Sequence, residues 1–325
     1  MNAQNQSYQE TQIPQCPKYV NGLLLCQKRK VCTNLGEAVN ESHDTLYREM
    51  CDFSATEETK ETLYKIALSK LDKENTFLIF DDVKLAKIYA EEIEGLEVGY
   101  DGSTGQKLLG LNMVTSLLTD KTHHIPIDAA PYVGKELSGL HYKTKSAIAK
   151  AIAECIISRI KIKRTLGDAH YATKEFLTWL YNLQIAYLMK IPRNRVVTIG
   201  DQEGRLQDIL RLKKNSHSAC VQGFFQGIQC YFYVVKIRNG SIVYFISNDQ
   251  IPLKEVLALY RIRWKIELFH RTGKQSFGMR ECQMLAIEKQ RQHVLFVMHA
   301  YVIAECVRVR EEFDNIEDVL KHYRT

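Results

Sequence analysis

The sequence contains little proline, no long apolar run and no regularly spaced cysteines. Only 6 of its 325 residues are proline. No uninterrupted apolar stretch reaches the ~18–20 residues that a helix needs to cross a bilayer, so we expect no membrane-spanning segment. The polar start, MNAQNQSYQETQIPQCPK, has no apolar stretch before a cleavage site, so we also expect no secretory signal.

The cysteines lack the spacing of a metal or redox motif. There are 9 of them, an odd number, and no two form a C-x-x-C pair. This pattern argues against a zinc ribbon and favours reduced thiols in a cytosolic protein. The net charge of +6 permits an anionic partner such as nucleic acid without requiring one.

Hydrophobic residues make up 45% of the chain, which is enough for one large domain or two to three smaller units. Residues 1–60 are predicted to form a small helical region. Apolar side chains at helical spacing indicate two short helices there: Leu35, Ala38 and Val39 in the first, Leu46 and Met50 in the second. Ser42 suits the N-cap of the second helix. Two such helices fit a helix-turn-helix that reads DNA, and equally any other small helical hairpin.

Residues 61–190 alternate between strand and helix, which is typical of an α/β core. The segment TFLIFDD is an apolar run that ends in Asp81 and Asp82, as expected for a buried strand that reaches the edge of a sheet. The segment KTKSAIAKAIAECIISRIKIKR predicts an amphipathic helix. Its apolar side is formed by Ile148, Ile152, Cys155 and Ile156. The segment TLGDAHYATKEFLTWLYNL starts as the end of a strand and continues as a helix.

Residues 191–250 have a different character. The segment CYFYVVKIRNGSIVYFISND is β-branched and aromatic on both sides of Asn239 and Gly240, a strong signal for a short β-hairpin. A β-rich block is therefore predicted to interrupt the α/β core, which resumes as helix in residues 251–325. Asp101 and Asp120 have the appearance of ordinary turn residues.

The segment YRIRWKIELFHRTGK, residues 260–274, places one acid among five basic side chains. On a helical wheel its two sides separate. The apolar side consists of Leu259, Ile262, Ile266, Phe269 and Gly273. The opposite side consists of Tyr260, Arg263, Glu267, His270, Arg271 and Lys274. Charged stripes usually face solvent, but an excess of positive charge beside aromatic rings is also typical of surfaces that meet phosphates and bases.

The spacing Tyr260-x2-Arg263-x3-Glu267-x6-Lys274 resembles the signature of bacterial DDE transposases of the insertion-sequence-four family. The flanking segments are similar to the family as well. FLIFDDVKLAK resembles its first-aspartate strand, and LGDAHYATKEFL resembles its second-aspartate turn. GQKLLGLNMVTSLLTDKTHHIPID and FGMRECQMLAIEKQRQHVLFVMHAY resemble its middle and final stretches. The resemblance covers nearly the whole chain from about residue 19.

The resemblance implies an RNase H-like core in which Asp82, Asp168 and Glu267 are the catalytic acids. These acids would hold two Mg²⁺ or Mn²⁺ ions for an in-line displacement at phosphorus. The family's matching aspartate usually precedes Thr, which favours Asp82, although Val83 replaces that Thr here. Asp81 is the alternative. Tyr260, Arg263 and Lys274 would contact DNA phosphates near the transposon end.

The expected activity is cut-and-paste transposition of an insertion sequence. The expected partners are the terminal inverted repeats and the target DNA, bound by a homodimer in the bacterial cytoplasm and without any membrane. Related enzymes often cut through a hairpin, with a flipped base on an aromatic of the β-rich insertion, but Trp179 and Trp264 both lie outside that block. Two alternatives remain open. One is an inactive or truncated copy that acts as a DNA-binding regulator, and the other is an RNase H-like nuclease without strand transfer.

Overall fold

The computed structural model describes residues 16–52, 54–102 and 104–324. Residues 1–15, which carry most of the polar start considered for secretion, lie outside the described residues. The chain divides into two compact units. Unit 1 contains the chain up to Leu71, Asp82–Lys143 and the chain from Glu267, and unit 2 contains Asp72–Asp81 and Thr144–Ile266. No helix within the described residues is both long and apolar enough to cross a membrane.

The described chain begins with four helices and ends with four, and most of its strands lie between these two groups. The helices are α1 (Lys18–Leu25), α2 (Cys32–Val39), α3 (His43–Cys51), α4 (Ser54–Lys70), α5 (Lys135–Ser138), α6 (Lys145–Ile157), α7 (Lys174–Asn182), α8 (Leu206–Ile209), α9 (Leu253–Ile262), α10 (Trp264–Ser276), α11 (Ile287–Arg310) and α12 (Ile316–Tyr323). The strands are β1 (Phe77–Ala86), β2 (Glu97–Asp101), β3 (Gln106–Thr119), β4 (His124–Tyr132), β5 (Arg164–Gly167), β6 (Tyr187–Lys190), β7 (Val196–Ile199), β8 (Gln202–Arg205), β9 (Ser218–Phe225), β10 (Ile228–Lys236) and β11 (Ile242–Ser247).

Unit 1 is built around α11, a 24-residue helix that is buried over most of its circumference. It packs against β4, α4 and α1. His293 of α11 is fully buried, and burial lowers its pKa to about 4, so the ring is neutral. One ring nitrogen lies 2.9 Å from the carbonyl oxygen of Gly278, so it must carry the proton. The other lies 3.0 Å from the hydroxyl of Tyr19 and accepts from it.

The N-terminal helices belong to this same core. The side chain of Ser42 caps α3 by accepting a hydrogen bond from the backbone N–H of Thr45 at 3.1 Å, which confirms the predicted N-cap. Leu35, Leu46 and Met50 are buried, as predicted. The amide of Gln292 on α11 donates to the backbone carbonyls of Glu49 and Asp52. A role of α2 and α3 as a helix-turn-helix stays a prediction.

Unit 2 contains a sheet in the order β1–β5–β6–β11–β10–β9–β7–β8. β1, β5 and β6 run parallel, with Phe77 paired to Arg164 and Ile79 to Leu166. The strands of residues 191–250 extend this same sheet, because β11 pairs antiparallel with β6. The hairpin of β10 and β11 confirms the predicted turn, in which Gly240 takes a φ of 83°.

The predicted apolar side of α6 is wrong at one residue. Ile148, Ile152 and Ile156 are buried, but Cys155 is exposed. The small side chains of Ala149 and Ala153 are fully buried and lie on the side of the helix away from Cys155. They let the core approach from that side, which turns Cys155 out of the stripe.

The first strand also differs from its prediction. It does not end at Asp81 and Asp82 but runs on to Ala86, with Val83 and Leu85 buried. In unit 2, β5 pairs with β1 only as far as Ile79. In unit 1, the rest of β1 lies beside β3, where Gly110 leaves room for the backbone of Leu85. The neighbouring strand on this side, rather than the sequence of β1 itself, keeps the chain extended beyond the two acids.

The contact at Gly110 generates a stability prediction. A methyl group on Gly110 would lie 2.2 Å from the carbonyl oxygen of Leu85, which requires β1 and β3 to separate. Gly110→Ala should therefore lower the free energy of unfolding by about 1–3 kcal/mol, the usual cost of overpacking, in urea denaturation. Gly102→Ala is the matched control, because nothing lies within 4 Å of its added methyl group. Equal losses in the two variants would contradict the close approach.

Candidate functional site

The signature segment is not the single helix that the sequence predicts. α9 ends at Ile262, Arg263 forms its C-cap, and α10 begins at Trp264. The backbone tightens there, because the N–H of Arg263 binds the carbonyl of Tyr260 at 3.1 Å, and that of Ile266 binds the carbonyl of Arg263 at 3.2 Å. The predicted helix of about four continuous turns is therefore interrupted by one tighter turn at Arg263, although the backbone of Arg263 stays in the right-handed helical region.

α10 buries one of the residues that the wheel placed on the charged side. Ile266, Phe269 and Gly273 are buried, as predicted. His270 is only 7% exposed and lies between them, with its ring nitrogen 2.7 Å from the hydroxyl of Thr115. His270 is thus a core residue of unit 1, and its predicted place beside the cations is wrong.

Glu267 lies in the first turn of α10 and is half-buried. The interruption at Arg263 creates this position, because the helix that starts at Trp264 has Glu267 in its first turn. A carboxylate is stabilised at a helix N-terminus by the helix dipole. The lone acid of the segment is therefore in a favourable backbone environment of its own.

In unit 2 the first half of the signature is held by an aspartate and an aromatic ring. The guanidinium of Arg263 donates to the carboxylate of Asp81 at 3.0 Å, and each side chain is 14% exposed. The same guanidinium lies over the ring of Tyr260, 5.5 Å from its centre. Tyr260 packs edge-on against Phe245 with ring centres 4.7 Å apart. Asp81 and Phe245 therefore fix both signature residues.

Asp168 lies just beyond the end of β5. One oxygen of its carboxylate accepts a hydrogen bond from the backbone N–H of His170 at 2.8 Å, so the residue does organise the turn. The parallel pairing of Ile79 with Leu166 puts Asp81 and Asp168, each two residues further on, at the same level.

Both Asp81 and Asp168 affect the pKa of the Tyr260 phenol. Its pKa is raised to about 12, mainly by burial, with further increases from Asp168 and Asp81 and an opposing decrease from Arg263. Together with the strand register and the contacts of Arg263, this places Asp81, Asp168, Tyr260 and Arg263 in the same part of unit 2. The phenol keeps its proton at neutral pH and can only donate or accept hydrogen bonds there.

Asp82 is the next residue of β1 and belongs to unit 1. Successive side chains of a strand leave on opposite faces, so Asp82 and Asp81 point away from each other. Within unit 1, Asp82 contributes to the raised pKa of Tyr132, about 12, which is due mainly to the hydrogen bond with Tyr142 and to burial.

Lys274, the last residue of the signature, is mostly buried in unit 1. Its ammonium nitrogen lies 3.9 Å from a carboxylate oxygen of Asp101, and Asp101 is 3% exposed. The backbone of Asp101 closes the turn after β2 by accepting from the N–H of Gly105, which agrees with its appearance as a turn residue. Sequence analysis missed the partnership with Lys274, since 173 positions separate the two residues and no local pattern joins them.

The carboxylates of unit 2 suit a divalent cation. Mg²⁺ and Mn²⁺ prefer hard oxygen ligands, which Asp81 and Asp168 supply. The N–H of His170 orients one oxygen of Asp168, as a hydrogen-bond donor commonly does for a ligating carboxylate. Over the part of the chain that the structure describes, no three His, Cys, Asp or Glu side chains are grouped so that they could hold a metal ion.

The fold is similar to that of a known transposase. A piggyBac transposase, solved by cryo-EM as a synaptic complex with hairpin DNA, aligns with 94% of this chain and 68% of its own, at a TM-score of 0.55 and 9% identity. The chain thus shares the RNase H-like transposase fold. The NurA nuclease of Sulfolobus solfataricus aligns with 67% of this chain and 85% of its own, with a TM-score of 0.27 and 9% identity. A sequence search among curated proteins gave no match.

The family model of the transposase DDE domain matches residues 99–303. The match covers well over half of the chain. It includes Asp168 and the signature from Tyr260 to Lys274, and it begins after the two aspartates of β1. Members of this family generally use divalent metal ions. The chain is a transposase and belongs to the family that carries the DDE domain.

Proposed function

We propose that this transposase cleaves DNA at the ends of an insertion sequence and joins them to target DNA by a cut-and-paste route. The observation that carries the proposal is the cluster of Asp81 and Asp168 around Tyr260 and Arg263 in unit 2. Two acids just beyond the paired segments of adjacent parallel strands, beside an aromatic ring and a guanidinium, suit phosphoryl transfer. Glu267 is the proposed third acid.

The two aspartates of β1 are not equivalent candidates for the first acid. The family pattern favours Asp82. The pairing of β1 with β5 supports Asp81, because Asp81 lies level with Asp168 and both act on the phenol of Tyr260. We therefore propose Asp81 as the first acid, with Asp82 as the alternative that the experiment below separates from it.

Asp81, Asp168 and Glu267 would hold two Mg²⁺ or Mn²⁺ ions. When bound, such ions stabilise the charge that develops on the oxygens of a transferring phosphoryl group. The chain's own contribution is to hold and orient DNA. The planar guanidinium of Arg263 can bind a phosphate in a bidentate manner, and Lys274 can act as a point charge. Tyr260 keeps its proton and can donate a hydrogen bond to a phosphate oxygen.

The piggyBac relative was solved with hairpin DNA, which supports DNA ends as the substrate and a hairpin intermediate as the route. A hairpin end needs an aromatic platform for an unpaired base. In the β-rich part of unit 2, Phe232 and Tyr233 are core residues, whereas Phe224 on β9 is 48% exposed. Phe224 is the proposed platform. The proposed assembly is a homodimer that holds two ends together.

A strand-transfer assay tests the function. The inverted repeats that flank the gene supply the DNA, and a duplex with a pre-cut repeat end is incubated with a target duplex and Mg²⁺. We expect joined products, and hairpinned flanks when the end is not pre-cut. Cutting without joining would identify a nuclease, and DNA binding without either reaction would identify a regulator.

Substitution of the acids tests the site. Glu267→Gln, Asp168→Asn and Asp81→Asn should each reduce cleavage by at least about a hundredfold, the scale of losing one group that stabilises the transition state. DNA binding should stay within a few-fold of wild type. Asp82→Asn is the matched control and should retain cleavage. An inactive Asp82→Asn beside an active Asp81→Asn would return the first-acid role to Asp82.

The pair of Arg263 and Asp81 makes a separate prediction. In a double-mutant cycle of Arg263→Gln and Asp81→Asn, the coupling energy in urea unfolding should be about 1–3 kcal/mol, as for contacting residues. Arg164→Gln with Asp81→Asn is the control cycle, because Arg164 pairs with Asp249 at 2.6 Å. The coupling energy of the control cycle should be near zero. Equal coupling energies in the two cycles would contradict a specific contact between Arg263 and Asp81.

A further inference from the structure

Asp101 occupies an unusual place at the tip of the hairpin of β2 and β3. Along β2 the side chains alternate, with Val98 and Tyr100 largely exposed and Asp101 facing inward, 3% exposed. The backbone of Asp101 takes part in the turn that follows, because the N–H groups of Thr104 and Gly105 both bind its carbonyl oxygen.

The carboxylate lies next to Lys274 of α10. The distance from the ammonium nitrogen to the nearest carboxylate oxygen is 3.9 Å, and the two side chains are 14% and 5% exposed. This separation is too long for a hydrogen bond but short enough for strong attraction between charges. Asp101 can thus stabilise the charge of Lys274 without occupying its N–H groups.

Two other influences oppose that charge. Burial is the largest and lowers the pKa of Lys274, because the charged ammonium loses contact with water. The guanidinium of Arg280 lowers it as well, whereas Asp101 raises it. Without Asp101, a mostly buried lysine with a cationic neighbour would lose its proton at a lower pH.

We propose that Asp101 is a positioning residue that keeps Lys274 charged and in place while leaving its N–H groups available to a DNA phosphate. The proposal extends the function given above, since it relies on Lys274 as a phosphate-binding residue. A lysine that was merely structural would instead have its N–H groups bound by the carboxylate or by backbone carbonyls. Lys84 of unit 1 shows that arrangement, with its ammonium bound to the carbonyls of Glu97 and Gly110.

The first experiment needs no DNA. The titration of Lys274 is followed by NMR of the lysine ¹³Cε–¹⁵Nζ group in the full chain, with Lys274→Ala to identify the signal. In Asp101→Asn, which has nearly the same shape, the titration should move to lower pH. In Arg280→Gln it should move to higher pH. Asp101→Ser provides a second removal of the carboxylate in case the asparagine variant does not fold. An unchanged titration in a folded Asp101 variant would overturn the proposal.

The second experiment measures binding to duplex DNA of arbitrary sequence, because a phosphate contact is independent of sequence. Near neutral pH, wild type and Asp101→Asn should show the same dependence of affinity on salt. At alkaline pH the slope of Asp101→Asn should fall by about 0.9, the value of one phosphate contact. Lys274→Ala should show that loss at both pH values. Lys321→Ala, an exposed lysine of α12, is the control and should match wild type.

The outcomes separate this inference from the proposed function. If wild type does not bind DNA, the proposed function fails, and the NMR titration still decides whether Asp101 holds the charge of Lys274. If wild type binds DNA and Lys274→Ala keeps the full salt dependence, the function stands and the role of Asp101 in phosphate binding is wrong. A loss of affinity in Asp101→Asn that is equal at all pH values would also overturn it.

Discussion

The register between β1 and β5 determines where the acids of unit 2 lie. The two strands pair only over Phe77–Ile79 and Arg164–Leu166. Side chains of a fully paired strand in the middle of a sheet are surrounded by apolar neighbours, and an unpaired carboxylate there would be costly. Asp81 and Asp168 lie just after the last pair, where hydrogen-bond donors and a cation can reach them. A register shift of one residue would turn Asp81 to the other face of the sheet.

The second constraint is the burial of positive charge. Each of the two signature cations is mostly buried, and each has an aspartate beside it: Asp81 for Arg263 and Asp101 for Lys274. An isolated buried cation costs several kcal/mol even after the protein relaxes, so a nearby carboxylate is needed to keep the charge. A cation that is held in this way has little side-chain entropy left to lose on binding an anion. A flexible surface lysine would lose more.

Local patterns in the sequence predicted local structure well. The hairpin turn at Asn239 and Gly240 and the N-cap at Ser42 depend on a few adjacent residues, and both are as predicted. The extension of β1 beyond its aspartates depends on β3, and the exposure of Cys155 depends on which side of α6 meets the core. The break at Arg263 also has no breaker residue to announce it, since neither proline nor glycine lies at that point.

In the candidate site, too, local features could be predicted from the sequence and contacts between distant residues could not. Spacing alone selected Tyr260, Arg263, Glu267 and Lys274, because a signature is a local pattern. Their partners come from distant parts of the chain, and only the folded structure identifies Asp81 for Arg263 and Asp101 for Lys274. The choice between Asp81 and Asp82 also depends on contacts with distant parts of the chain. Adjacent residues of one strand have nearly the same sequence context, whereas their opposite faces have different neighbours.

The contact of Tyr19 with His293 has a consequence for how this gene can evolve. The hydroxyl of Tyr19 satisfies one nitrogen of a fully buried imidazole, and its ring packs on Phe296 with centres 5.3 Å apart. Loss of the first helices would leave that nitrogen without its donor and uncover the apolar side of α11. The N-terminal helices therefore cannot be exchanged between mobile elements as an independent module, because the rest of the chain would be left with an exposed apolar side of α11.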